Sequence, residues 1–211
     1  MRKTRPNATR RVILGIAALL TAALSAAPAG ADQAAEAFIS GILEEANAIF
    51  QEPDKEARME GIERLVDKYV DMRRVGLFAL GQYARVITDE QKAAYLPLFR
   101  KYATTIYQDL LEDYSGQRLA VTGSIDRTPR DIIVNSQAVD VRPGDPLAGV
   151  TIHWRVYRDR AGGQAVVDAG ADGVWLAIEQ QSQFKSVIAN NGGGTKGIDA
   201  LIADLKEKTG A

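Results

Sequence analysis

The stretch Val150-Thr151-Ile152-His153-Trp154-Arg155-Val156-Tyr157 alternates apolar and polar residues through four periods. Only an extended chain sends successive side chains to opposite faces. Val150, Ile152, Trp154 and Val156 therefore form one face of a strand, and Thr151, His153, Arg155 and Tyr157 form the other. One apolar and one polar face suit an antiparallel sheet covered on one side. The strand is expected over 147–159, with companions over 118–124, 131–141, 164–171 and 173–179. The links carry turn residues: Asp126-Arg127-Thr128-Pro129, Pro143-Gly144-Asp145-Pro146 and Arg160-Ala161-Gly162-Gly163. Connections this short join antiparallel neighbours and leave no room for helical crossovers.

Outside this block the period is helical. Phe38, Ile39, Ile42, Ala46, Ile49 and Phe50 share one face over 32–51, and Pro53 ends that helix. Over 54–70 the pattern repeats with Met59, Ile62, Leu65, Val66 and Tyr69. Glu56, Glu60, Glu63, Arg64 and Asp67 form its solvated side. Asp71 can cap a short helix to Leu80, and Gly81 can end it. Thr88 and Gln91 are spaced as a capping box. They open a long helix striped by Tyr95, Leu98, Phe99, Tyr102, Ile106 and Leu110, in which Pro97 is expected to cause a bend or a shifted start. The period changes at Tyr114-Ser115-Gly116. Helix returns after Gln180 with Phe184, Val187 and Ile188, breaks over 190–194, and resumes with Ile198, Leu201, Ile202 and Leu205. The expected class is α+β: an antiparallel sheet of about five strands cradled by N- and C-terminal helices. The inside of such a cradle holds either packed side chains or a ligand.

Composition excludes much chemistry. The 211 residues include no cysteine and one histidine. Disulfides, thiolate nucleophiles, Fe–S ligation and thiolate zinc sites are therefore absent, as is any multi-histidine metal site. No metal site is expected. Arg2, Lys3, Arg5, Arg10 and Arg11 precede a short uncharged apolar run, and Ala29-Gly30-Ala31 closes it. This reads as an export signal over 1–31, leaving 32–211 as a single domain. The apolar run is shorter than the roughly 20 residues of a membrane span, and no later segment is longer, so a soluble exported protein is expected. Five of the 26 basic residues and none of the 27 acids precede Asp32, so residues 32–211 carry a net charge of −6. An acidic chain is a poor nucleic-acid ligand.

No catalytic constellation is visible. His153 lies on a polar strand face between Thr151 and Arg155, as a surface histidine. Asp168 reads as a solvent-facing or turn-bonding carboxylate, with a buried base as the alternative. Gly192-Gly193-Gly194 lacks the Lys-Ser/Thr of a phosphate loop and follows a helix. The stripe of Tyr95, Phe99 and Tyr102 is core or ligand wall.

The order of the pieces resembles a known family. The residues that carry the likeness begin at Leu80-Gly81 with Tyr83, Thr88-x-x-Gln91, Phe99-Arg100 and Tyr114-x-Gly116. They continue through Val167-Asp168, Gly173-Val174-x-Leu176 and Gln183-Phe184-x-x-Val187-Ile188-x-x-Asn191-Gly192-Gly193, and end with Ile198-Asp199-Ala200-Leu201-Ile202-x-x-Leu205. In these the chain is similar to the phospholipid-binding proteins of the Mla lipid-transport pathway, also called the toluene-tolerance family. A related branch is associated with hopanoids. The family pattern has Trp, Ser and Arg where this chain has Gln164, Trp175 and Gln181.

The resemblance implies a fold like the cradle of nuclear transport factor 2, holding acyl chains in an apolar cavity. It implies a periplasmic, non-enzymatic carrier with phospholipid as cargo and no cofactor. It also implies partners: an outer-membrane lipoprotein complex and an inner-membrane ABC transporter with an MCE-domain subunit. Such a carrier would serve outer-membrane lipid asymmetry. Alternatives are a hopanoid-associated carrier, a cradle-fold enzyme using Asp168 or Asp140, and a periplasmic chaperone. Candidate cavity residues on the strands are Leu119, Val121, Ile132, Val134, Val150, Ile152, Trp154 and Val156; on the helices they are Phe78, Leu98, Tyr102 and Ile106. A packed core uses the same residue types. The segments 71–85 and 184–193, bordered by Gly81 and Gly192–Gly194, are the expected moving parts.

Overall fold

A computed structural model describes residues 32–112, 117–142, 144–145 and 147–211. The expected signal over 1–31, the Tyr114-Ser115-Gly116 transition, Pro143, Pro146 and the side chain of Leu110 lie outside the described residues.

The first three helices are α1 (Gln33–Phe50), α2 (Lys55–Tyr69) and α3 (Met72–Ala79). Each starts at an aspartate whose carboxylate accepts from a first-turn N–H: Asp32 from Ala35, Asp54 from Ala57 and Asp71 from Arg74. A 3-10 turn, Gly81–Arg85, follows α3, with Gly81 at φ 56°. The capping box forms as the spacing requires. Thr88 N–H donates to Gln91 Oε1 at 3.2 Å, and Gln91 N–H donates to Thr88 Oγ1 at 3.1 Å. This box fixes the start of α4 (Asp89–Glu112), so Pro97 lies inside the helix without shifting its beginning.

Five strands follow: β1 (Leu119–Thr128), β2 (Asp131–Ala138), β3 (Thr151–Arg158), β4 (Gln164–Ala171) and β5 (Val174–Trp175). They pair in chain order, every neighbour antiparallel. The last two helices are α5 (Leu176–Asn190) and α6 (Gly194–Thr209).

Four strands differ from the sequence reading; β2, expected over 131–141, stops at Ala138 where its pairing with β1 ends. Strand β1 runs on to Thr128, because a register shift at Asp126/Thr128 lets it continue into the turn. Residues 147–150 form a turn held by Val150 N–H on Leu147 O at 3.2 Å, so Val150 lies before β3. The expected strand over 173–179 shrinks to Val174–Trp175, and helix α5 begins at Leu176.

Two apolar cores flank the sheet. On the first face Ile132, Val134, Val156 and Val166 are buried against Ala35, Ile39, Ile42 and Leu43 of α1. The second core joins α3, α4, α5 and α6 around Tyr95, Phe99, Phe184, Ile188, Leu201 and Leu205. Val70 packs against both. It also bridges to Val166 on the edge of β4, where Asp71 N–H donates to Val166 O at 3.0 Å.

The second sheet face is not bare. Arg74 of α3 stacks on Tyr157, 3.7 Å from its ring centroid. His153 and Trp175 are 5.8 Å apart between ring centroids. A bulge in β4 makes this possible. Val156 pairs with Val166 and Arg155 with Asp168, so Val167 is the extra residue. Val166 thus faces α1, while Asp168 faces the helical layer.

Candidate functional site in a cleft between α4 and α5

Helix α4 has one face turned into the helical layer, and the 3.6-residue period puts Phe99, Tyr102, Ala103, Ile106 and Tyr107 on it. Leu176, Ala177, Glu179, Gln180 and Gln183 of α5 stand opposite, and Val75 of α3 closes one end. Between them is a cleft of about 260 Å³. Its α4 wall is apolar and aromatic. Its α5 rim carries Glu179, Gln180 and Gln183, and among the described residues no basic side chain lines it. Gln180 Oε1 is shielded from solvent and has no hydrogen-bond partner among the described residues.

Aromatic packing fixes the cleft's floor. The rings of Tyr95, Phe99 and Tyr102 lie 6.3, 6.1 and 5.9 Å from that of Phe184. Tyr95 hydroxyl donates to Gly76 O at 2.9 Å, which satisfies its one polar group inside the core.

Asp168 joins this cleft to the sheet. Trp175 occupies the N-cap position of α5 and offers no side-chain acceptor. Asp168 Oδ1 supplies one from β4, accepting from Ala177 N–H and Ala169 N–H, both at 2.9 Å. The residue is 6 % exposed. The sequence reading as solvent-facing is therefore wrong, because α5 packs over this side of β4; the carboxylate bonds a strand N–H and a helix N–H rather than a turn. Burial raises its pKa, opposed by the two N–H donors and by Arg155. Arg155 is held by Asp131 at 2.8 and 2.9 Å. Burial and the Asp168 charge push the Tyr107 hydroxyl up to about 12.

His153 is half-buried, and its Nδ1 lies 2.7 Å from Asn135 Oδ1. Asp140 is exposed. Among the described residues, no group of three His, Cys, Asp or Glu side chains could hold a metal ion.

The twelve candidate cavity residues fall in different places. Tyr102 and Ile106 line the cleft. Leu98 is buried in the helical core. Ile132, Val134 and Val156 are fully buried between sheet and α1, with Leu119, Val121 and Trp154 packed around them. Trp154 Nε1 donates to Ser136 Oγ at 2.8 Å. Ile152 is half-buried opposite Ser136, and Val150 is half-buried in the turn before it. Phe78 is 39 % exposed. Sequence reasoning had Phe99 as core or ligand wall and missed Ala103 and Tyr107 on α4 and the whole α5 wall. The 3.6-residue spacing of Phe99, Tyr102, Ala103, Ile106 and Tyr107 was available as a signal. The α5 wall was hidden by reading 173–179 as a strand.

Gln164, Trp175 and Gln181, the positions that depart from the resembled pattern, all make contacts. Gln164 Nε2 reaches Ala34 O at 3.3 Å, Trp175 meets His153, and Gln181 Nε2 donates to Phe78 O at 2.7 Å.

A solved structure of similar fold is the phospholipid-binding protein from Ralstonia solanacearum, in complex with a phospholipid at 1.53 Å. The two match with a TM-score of 0.68 and 24 % identity, over 83 % of this chain and 97 % of that one. The likeness covers the α+β fold. The family model for the MlaC protein matches residues 33–207. That match runs from the first residue of α1 to within two residues of the end of α6, and the chain belongs to the MlaC family.

Proposed function

We propose that this protein is a periplasmic phospholipid carrier, exported by its N-terminal segment and folded as one lipid-binding domain over 32–211. It receives and delivers lipid between an outer-membrane lipoprotein complex and an inner-membrane MCE-domain ABC transporter. The observation that carries this reading is the cleft between α4 and α5, aromatic and aliphatic on one wall and polar on the other. Membership of the MlaC family supports it, as does the phospholipid bound in the Ralstonia structure.

The energetics favour a carrier that must be opened. A phospholipid has about 30 methylenes, each worth about 0.8 kcal/mol when fully buried. The ceiling is on the order of 20 kcal/mol before association costs. The cleft, at about 260 Å³, lies below the roughly 300–1,000 Å³ of pockets for drug-sized ligands. Two acyl chains therefore require its walls to part. Phe184 and Ile188 are anchored in the core, so movement falls to Leu176–Gln183 at the start of α5 and to the α3 corner ending at Gly81. Tyr102 and Ile106 meet the chains first, and the strand candidates meet them only if the opening extends to the sheet.

Native mass spectrometry of protein purified from a bacterial periplasm tests this, with lipid extraction of the same sample. A stoichiometric phospholipid adduct is expected. A folded protein without adduct, even after incubation with phospholipid vesicles, overturns the carrier reading.

A further inference from the structure

Among the described residues six large hydrophobic side chains are exposed, and four of them sit on three neighbouring segments. Phe78 (39 % exposed) is on α3, Val86 (48 %) follows the 3-10 turn, and Val174 (53 %) and Ile178 (47 %) lead into α5. These segments touch. Gln181 holds the Phe78 carbonyl at 2.7 Å, and the Lys185 stem lies 3.0 Å from where a Cβ on Gly81 would stand. Ile178, Gln181 and Lys185 are spaced three and four apart, so they share one face of α5. The cleft wall is the adjoining face of the same helix, and none of the four exposed residues lines the cleft.

Charge distinguishes this surface from the rest of the molecule. Residues 32–70 contain ten acids and four basic residues, which accounts for the whole net charge of −6 over 32–211. Residues 71–211 carry seventeen of each sign. Over 71–86 the balance is positive: Arg73, Arg74 and Arg85 against Asp71, which caps α3 and pairs with Arg74 at 3.3 Å. Lys185 adds to this side, while Glu179 is on the cleft wall and Asp172 lies in the turn before Val174. The acidic pole is α1–α2, and the apolar-basic pole is α3 with the start of α5.

We propose that the α3, 3-10 turn and α5 surface docks on an anionic phospholipid bilayer. Exposed apolar side chains framed by Arg and Lys are the chemistry of interfacial attachment. Each cation near an anionic surface contributes about 1 kcal/mol. A bilayer is favoured over an acidic protein ridge because the asymmetry spans the molecule. An extended anionic plane repels α1–α2 as it attracts the opposite pole, and so orients the chain with the cleft rim towards lipid. Docking gives the proposed carrier a place to load, but the surface stands on its own exposure and charge.

The test is co-sedimentation of the periplasmic protein with vesicles of phosphatidylglycerol and phosphatidylcholine at low salt, against phosphatidylcholine alone. Binding is expected to the anionic vesicles only. Arg85→Gln with Lys185→Gln should weaken it about 30-fold, and Phe78→Ser with Ile178→Ser should weaken it as well. Ile125→Ser, at an equally exposed position on β1, should leave it unchanged. Melting curves and the mass of bound lipid are read on every variant. Lost vesicle binding with retained lipid adduct separates this surface from the carrier reading. Wild-type protein that ignores anionic vesicles, or double variants that bind as wild type, overturns the proposal. Variants that keep vesicle binding but lose lipid delivery in cells assign the surface to a protein partner and overturn it equally.

Discussion

Asp168 does for α5, from a neighbouring strand, what Asp32, Asp54 and Asp71 do for their own helices. It satisfies an otherwise open N–H at the start of α5, and it places negative charge at a helix N-terminus. Asp168→Ala leaves Ala177 N–H buried without an acceptor and should cost about 1–3 kcal/mol in denaturant unfolding. Asp168→Asn keeps an acceptor and should recover most of that loss; equal losses for both would show that the acceptor is not what matters. The pH dependence follows from the shifts. The Arg158 and Arg155 guanidiniums lower the pKa values of Asp32 and Asp131. Stability from these pairs is therefore present above the ordinary carboxylate range and is lost as pH falls through their lowered values. Asp168, raised by burial, runs the other way: its ionisation costs stability as pH rises through its own value. Asp131→Asn should flatten the acid limb of a plot of Tm against pH. An unchanged limb would remove the Arg155 pair from the explanation.

Helices α5 and α6 meet closely because one residue has no side chain. A Cβ on Gly197 would stand 2.3 Å from the Ile188 carbonyl oxygen. Gly197→Ala should destabilise by about 1–3 kcal/mol, as overpacking does, and a variant as stable as wild type would show that the pair can slide apart. The cleft and the sheet core respond differently. Ile106→Glu, at the cleft, should reduce retained lipid in a folded protein. Val156→Asp, fully buried under α1, should lower Tm severely instead, since an unpaired charge has no partner there. A folded Ile106→Glu variant with full lipid would exclude Ile106 from the cavity. Elements with local signals were legible: the Asp71 cap, the Thr88–Gln91 box, and the alternation of β3; Asp32 and Asp54 marked where helices begin without being read as caps. The start of α5 was not legible, because its cap lies nine residues upstream on another strand. Alternation also says which residues face inward, but not whether α1 or a ligand covers them. That is why the strand candidates sit in a packed core and the cleft lies between helices instead.

At the scale of the whole chain, two apolar cores share the sheet and meet at Val70. The contact between α2 and α4 is polar. Arg100 binds Glu63 and Asp67, Gln108 Nε2 donates to Met59 O at 3.0 Å, and a gap of about 380 Å³ lies between. The two tryptophans report on different sides: Trp154 packs with the α1 core, and Trp175 lies across the sheet beside His153. Single-tryptophan variants should unfold in urea with coincident midpoints while Asp168 ties the layers, and with separated midpoints in an Asp168→Ala background. Separation in the wild-type background would mean that the layers are already independent. What couples them is, in the end, a matter of count. Because Val167 is supernumerary in β4, the strand hands Val166 to one core and Asp168 to the other. Substituting Val167 changes one side chain. Regular pairing through it would put Val166 and Asp168, two apart, on one face, turn Asp168 toward α1 and leave α5 without its acceptor. At this point in the strand it is the irregularity of the pairing, and not the spelling of Val167, that lets one ladder serve two layers.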